Sequence, residues 1–84
     1  MDDEKKALHL FVGFLCGQEK TCGTKQKHHT QEAAQKAADS LNRSGKARNK
    51  TEPYPCFFCG QWHIGREMSY DELRKHIQKY SDLQ

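Results

Sequence analysis

The sequence predicts a small α+β domain in which short β-strands pack on one helix and an additional helix closes the C-terminus. Three observations predict it. Cys56-Phe57-Phe58-Cys59-Gly60 places two cysteines three positions apart with a glycine behind them. Residues 31–41 carry a stripe of alanines at helical spacing. Finally, 84 residues with 35% hydrophobic content and a mean hydropathy of −1.04 leave little to bury. Chains barely longer than about 70–80 residues seldom hold together on an apolar core alone, so a staple is expected.

The staple predicted by the cysteines is a metal. A tight turn between Cys56 and Cys59 lets both thiolates face one tetrahedral Zn²⁺, and Gly60 allows the chain to turn back without a Cβ clash. The competing reading of such a pair, a thioredoxin-like redox motif, needs a βαβ domain that this length does not accommodate. The apolar run from Leu8 to Cys16 is broken by Gly13 and is far short of the roughly 20 residues of a membrane span. A cytoplasmic location is therefore expected, where thiols stay reduced and bind metals rather than forming disulfides.

Charge is unevenly spread along a chain of net +3. Between residues 20 and 50 stand eight cations against only Glu32 and Asp39. Both flanking segments are mildly acidic. Such a basic middle attracts phosphate backbones through counterion release, and it also suits a merely solvated face.

Taken in order, residues 7–16 alternate Leu8, Leu10, Val12 and Phe14 against His9, Phe11, Gly13 and Leu15. Both sets are mostly apolar, so the run fits a buried strand or a short helix, with Phe11, Val12 and Phe14 tilting it toward a strand. Residues 17–20 read as a turn, and 21–29 as a polar strand or extended loop with a ligand turn at Cys22-Gly23. Thr30 is a plausible N-cap for a helix carrying Glu32 in its first turn. Ala33, Ala34, Ala37, Ala38 and Leu41 share one face of it, and Ser44-Gly45 stops it. Residues 46–52 read as a polar, basic loop, and Pro53 and Pro55 as extended chain leading to the cysteines. Ser69 with Glu72 forms a capping box for a second helix, over about 69–81. Its amphipathic face, Tyr70, Leu73, Ile77 and Tyr80, suits core packing or an exposed docking stripe. The whole chain, 1–84, reads as one domain with a zinc core over about residues 20–66.

Ligand choice follows from context. Cys56 and Cys59 are the firm pair. Cys22 precedes a glycine in a polar turn, and His63 leaves the knuckle on the same strand, whereas Cys16 closes an apolar run and suits a small buried hydrophobe. Cys22, Cys56, Cys59 and His63 are therefore favoured as a closed site, with an all-cysteine set using Cys16 as the rival. Four protein ligands leave no position for a catalytic water, so the zinc is expected to be structural.

Cys22 followed by Lys25, the helix Gln31-Glu32-Ala33-Ala34-Gln35-Lys36-Ala37-Ala38, and the run from Tyr54 to Ile64 together resemble small phage and bacterial zinc-knuckle proteins. There a lone cysteine, a helix and a Y-x-C-x-x-C-G-x-W-H ending occur in the same order. The likeness covers about residues 22–65. It implies a small ββα-type zinc fold with Cys22, Cys56, Cys59 and His63 as ligands, and implies little about activity. The N-terminal apolar segment and the capped C-terminal helix depart from that pattern and are where a partner surface is expected.

No enzyme is expected. Pro55-Cys56-Phe57-Phe58-Cys59 matches half of the zinc deaminase signature, but no glutamate stands two residues after any histidine. His28 and His29 suggest a nuclease base only if a second metal-bearing half existed, and none is visible. The leading expectation is nucleic-acid (DNA or RNA) binding. Lys25, Lys27, Arg43, Lys46, Arg48 and Lys50 would meet phosphates, and Phe57, Phe58 or Trp62 would stack on a base if exposed. For Trp62 the favoured role is instead to pack beneath the zinc and shield it. The alternative is a protein-interaction module, a phage or host regulator docking through Tyr70, Leu73, Ile77 and Tyr80.

Overall fold

The computed structural model describes residues 2–23, 25–45 and 48–82. Its elements run α1 (Asp3–Cys16), α2 (Gln18–Thr21), α3 (Gln31–Ser44), β1 (Thr51–Pro55), β2 (Trp62–Arg66) and α4 (Tyr70–Asp82). The α+β class holds, with the two strands packed on α3 and a C-terminal helix following.

The N-terminal apolar run is a helix, not a strand. Asp2 caps it by accepting from the Lys5 N–H at 2.8 Å, and Asp3 and Glu4 sit in the first turn, where the helix dipole favours negative charge. Those signals outweigh the modest strand preference of Phe11, Val12 and Phe14. One face of α1 buries His9, Val12 and Gly13, while Phe11 and Phe14 remain about half exposed. The predicted turn after Cys16 is the short α2, entered through Gly17 at φ 94°.

Helix α3 begins where expected, with Thr30 Oγ1 accepting from the Ala33 N–H at 3.1 Å. Of its alanines, Ala34 and Ala38 are fully buried, so the sheet approaches the helix backbone closely. Asn42 then joins the two elements. Its side chain accepts from the Thr51 N–H at 2.8 Å and donates to the Thr51 carbonyl at 3.1 Å. Thr51 and Glu52, expected in a loop, are therefore the first residues of β1.

The strands pair antiparallel, with Tyr54 opposite His63 and Glu52 opposite Gly65. Cys56 N–H donates to Gln61 O and Glu67 N–H to Lys50 O, both at 2.8 Å. By alternation, Tyr54–His63 and Glu52–Gly65 are the hydrogen-bonded pairs, and Pro53 and Pro55 face outward. Two prolines thus sit in a strand without removing a ladder bond.

Helix α4 opens with the expected capping box: Glu72 N–H donates to Ser69 Oγ at 3.2 Å and Ser69 N–H to Glu72 Oε1 at 3.3 Å. It packs along α1, with Arg74 on Glu4 at 2.6 Å and the Tyr70 hydroxyl on Asp2. Leu73 is fully buried, so it belongs to the core and is not presented to a partner. Leu73→Ala is expected to cost about 2–5 kcal/mol in urea unfolding, the usual range for an emptied leucine site. No helix among the described residues is long and apolar enough to cross a membrane.

Candidate metal centre and basic groove

Cys22, at the end of α2, meets Cys56 and Cys59 from the hairpin tip and His63 from β2. Their ligand atoms all lie within 4.8 Å of one another. A tetrahedron on ~2.3 Å Zn–S bonds has edges of roughly 3.8 Å, so only a small contraction is needed. The four residues form a cluster that can hold a metal ion. Cys16 is not among them; its thiol instead donates to the Tyr80 hydroxyl at 3.7 Å, between α1 and α4.

Local backbone geometry sets the ligands in place. Gly23, directly after Cys22, has φ +40°, and a Cβ there would lie 2.4 Å from the Glu19 carbonyl oxygen, so only glycine makes this turn. Gly60, directly after Cys59, sits at φ +71°. His63 is fully buried, and its Nδ1 lies 2.8 Å from the Gln26 carbonyl, which fixes that nitrogen as the donor. Nε2 is then left as a free lone pair 3.4 Å from Cys59 Sγ. A ring nitrogen held by a backbone carbonyl while the other faces the ligand cluster is how metal-binding histidines are oriented.

The thiols disturb one another. Burial, with hydrogen bonds that the Cys22 thiol donates to Cys59 and Cys56, pushes it up to about 11. Burial also raises Cys59, but the Gln61 backbone N–H and the neighbouring Cys56 and Cys22 thiols outweigh it, leaving Cys59 below its ordinary value. Three thiolates cannot crowd together without a compensating cation, and a divalent ion supplies that charge. Buried Tyr54 supports the site from below. Its ring stands 5.7 Å from that of His63 and 5.8 Å from that of His9, and its hydroxyl donates to Thr21 O at 2.6 Å. Trp62 stands toward α1, with Lys6 Nζ 5.8 Å from its ring centroid.

A second feature is an open groove of about 460 Å³ on the α3 side of β2, bordered by Lys25, His28, Arg48 and Arg66 and floored by Leu41 and Ile64. Among the described residues no carboxylate lines it. Of the six cations expected to meet phosphates, Lys25 and Arg48 border this groove. Lys27 and Arg43 are exposed elsewhere, Lys50 pairs with Glu67 at 3.4 Å, and Lys46 lies outside the described residues. His28 and Arg66 were not part of that expected set. The bridge between His28 and Trp62 brings His28 beside β2, whose last residue is Arg66, a contact between residues too far apart in sequence to be read from spacing.

The fold and the cluster define a small α+β domain with a Cys/His cluster that could hold a metal ion. Comparison with protein-family models, with curated proteins and with solved structures found no match for the chain.

Proposed function

We propose that this chain is a non-enzymatic interaction module stapled by structural zinc. The observation that carries the zinc is the closed set of three thiolates and one carbonyl-oriented imidazole. Soft sulfur with imidazole in tetrahedral number suits Zn²⁺, and four protein ligands leave no vertex for a reacting water. Binding surfaces other than the ligands themselves support the interaction reading: the groove beside β2, the half-exposed Phe11 and Phe14, and Phe57 on the turn between the two cysteines. The docking stripe first expected on α4 gives way, because Leu73 is consumed in packing against α1.

Nucleic acid is the second reading, favoured by the four basic side chains around a groove that no carboxylate lines among the described residues. One experiment separates the two. Displayed random peptides panned on the immobilised, zinc-loaded chain should converge on a consensus, with oligonucleotides failing to bind. Oligonucleotide binding that weakens steeply between about 50 and 200 mM salt would select the nucleic-acid reading instead. Metal analysis of the purified chain should return stoichiometric zinc.

A further inference from the structure

We propose that the outer edge of β2, at Ile64 to Arg66, is a strand-addition site for an extended acidic peptide, an inference that rests on the interaction-module reading. The reason lies in the ladder's alternation. Trp62 pairs outward with His28, N–H to carbonyl in both directions at 2.8 Å. By the same parity the N–H and C=O groups of Ile64 and Arg66 point to that edge. The segment before His28 does not continue the pairing, because the Gln26 carbonyl accepts from His63 Nδ1 at 2.8 Å. The histidine ligand has taken the group that would have extended the sheet. Among the described residues no hydrogen bond engages the outward Ile64 and Arg66 backbone groups.

An unpaired edge is a template for another strand. The opposite edge is closed to this, since Pro53 and Pro55 have no N–H to offer and Thr51 is occupied by Asn42. The β2 edge opens into the basic groove, whereas the pocket beside β1 is lined by Asp39, Glu52 and Glu67. Successive side chains of an added strand point to opposite faces of the sheet, and cations await on both. Arg48 and His28 stand on the α3 side, and Lys20 borders a smaller cavity of about 180 Å³ on the α1 side. Lys25 and Arg66 border both cavities. Arg66 shares its charge with Glu72 at 2.8 Å, but Arg48 has no ion pair among the described residues. This charge distribution selects acidic side chains. The backbone selects a peptide over a nucleic-acid strand, because phosphates only accept, whereas this edge offers both N–H and C=O.

The test uses the zinc-loaded full chain and a capped synthetic oligoglutamate peptide, which places carboxylates on both faces of an added strand, with its oligolysine counterpart and a single-stranded oligothymidylate as controls. The acidic peptide is expected to slow amide hydrogen exchange at Ile64 and Arg66 up to about tenfold at saturation, while the basic peptide does nothing. Ile64→Pro removes an outward N–H without touching the β1 ladder, and should abolish binding while zinc stoichiometry is kept. Arg48→Glu should weaken binding about fivefold or more. No binding of the acidic peptide, or unchanged binding by a folded Ile64→Pro variant, overturns the proposal. If Ile64→Pro fails to load zinc, the exchange rates in the wild-type chain decide the matter alone. Protection at Phe11, Phe14 and Phe57 in place of Ile64 and Arg66 overturns the edge site but leaves the interaction module standing. Tighter binding of the oligothymidylate overturns both.

Discussion

If zinc staples the fold as proposed, chelation is expected to unfold this protein, with loss of near-UV and most far-UV circular dichroism in step with zinc release. Structural zinc contributes about 10–16 kcal/mol of apparent binding free energy in small finger domains, against a total stability of about 5–15 kcal/mol for an ordinary domain. Among the described residues the fully buried apolar side chains are few (Ala34, Ala38 and Leu73), too few to replace that contribution. Cys56→Ser should behave like the chelated chain, since it removes a buried ligand from the centre of the cluster. Cys16→Ser provides the contrast: it should retain stoichiometric metal and lose only about 1 kcal/mol, the typical cost of a substitution outside the named severe mechanisms. Cobalt substitution of the two variants, read as the visible bands of a thiolate-rich tetrahedral site, checks both. Retention of a cooperative fold after exhaustive chelation would refute the zinc-stapled reading.

Glu52→Ala is expected to be the most damaging change away from the metal, at about 3–5 kcal/mol, because it strips one partner from a buried charge cluster. Glu52 is only 7% exposed and faces Lys5 at 3.0 Å, His9 at 3.2 Å and the Met68 N–H at 3.1 Å. It thereby ties β1 to α1 and to the turn before α4. Burial raises its carboxyl, but the His9, Lys5 and Met68 hydrogen bonds overcome that and hold it below the usual 4.5. The folded value lies below the unfolded one. The stabilisation is therefore fully present above the ordinary carboxylate range, and it is lost as pH falls through the lower folded value. Both the wild type and Glu52→Gln share ligand protonation in acid, so the difference between their urea midpoints across pH isolates this carboxylate. That difference should shrink as pH falls; a constant gap would show that Glu52 acts through shape alone.

The ligand set was legible in sequence because its signals are local. Cys56, Cys59 and His63 sit on one hairpin at fixed spacing, and Gly23 and Gly60 mark the turns that aim the thiolates. The caps of α3 and α4 were legible for the same reason: Thr30, Ser69 and Glu72 act within one helical turn. The N-terminal run stays open between strand and helix in the sequence because apolar residues fall on both faces of either period, although Asp2, Asp3 and Glu4 carry a helix-start signal that periodicity overlooks.

What the sequence by itself determined, then, is the Cys/His cluster and the two helices, α3 and α4, whose starts are written in neighbouring residues. Only the tertiary structure decided which surfaces are consumed and which are left over. Leu73 disappears against α1, Phe11 and Phe14 stay outside, and Lys25, Arg48 and Arg66 come from distant segments to one groove. The physical reason is that burial and strand pairing depend on contacts across the chain. The Gln26 carbonyl illustrates this, since its hydrogen bond to His63, 37 residues away, leaves the β2 edge open.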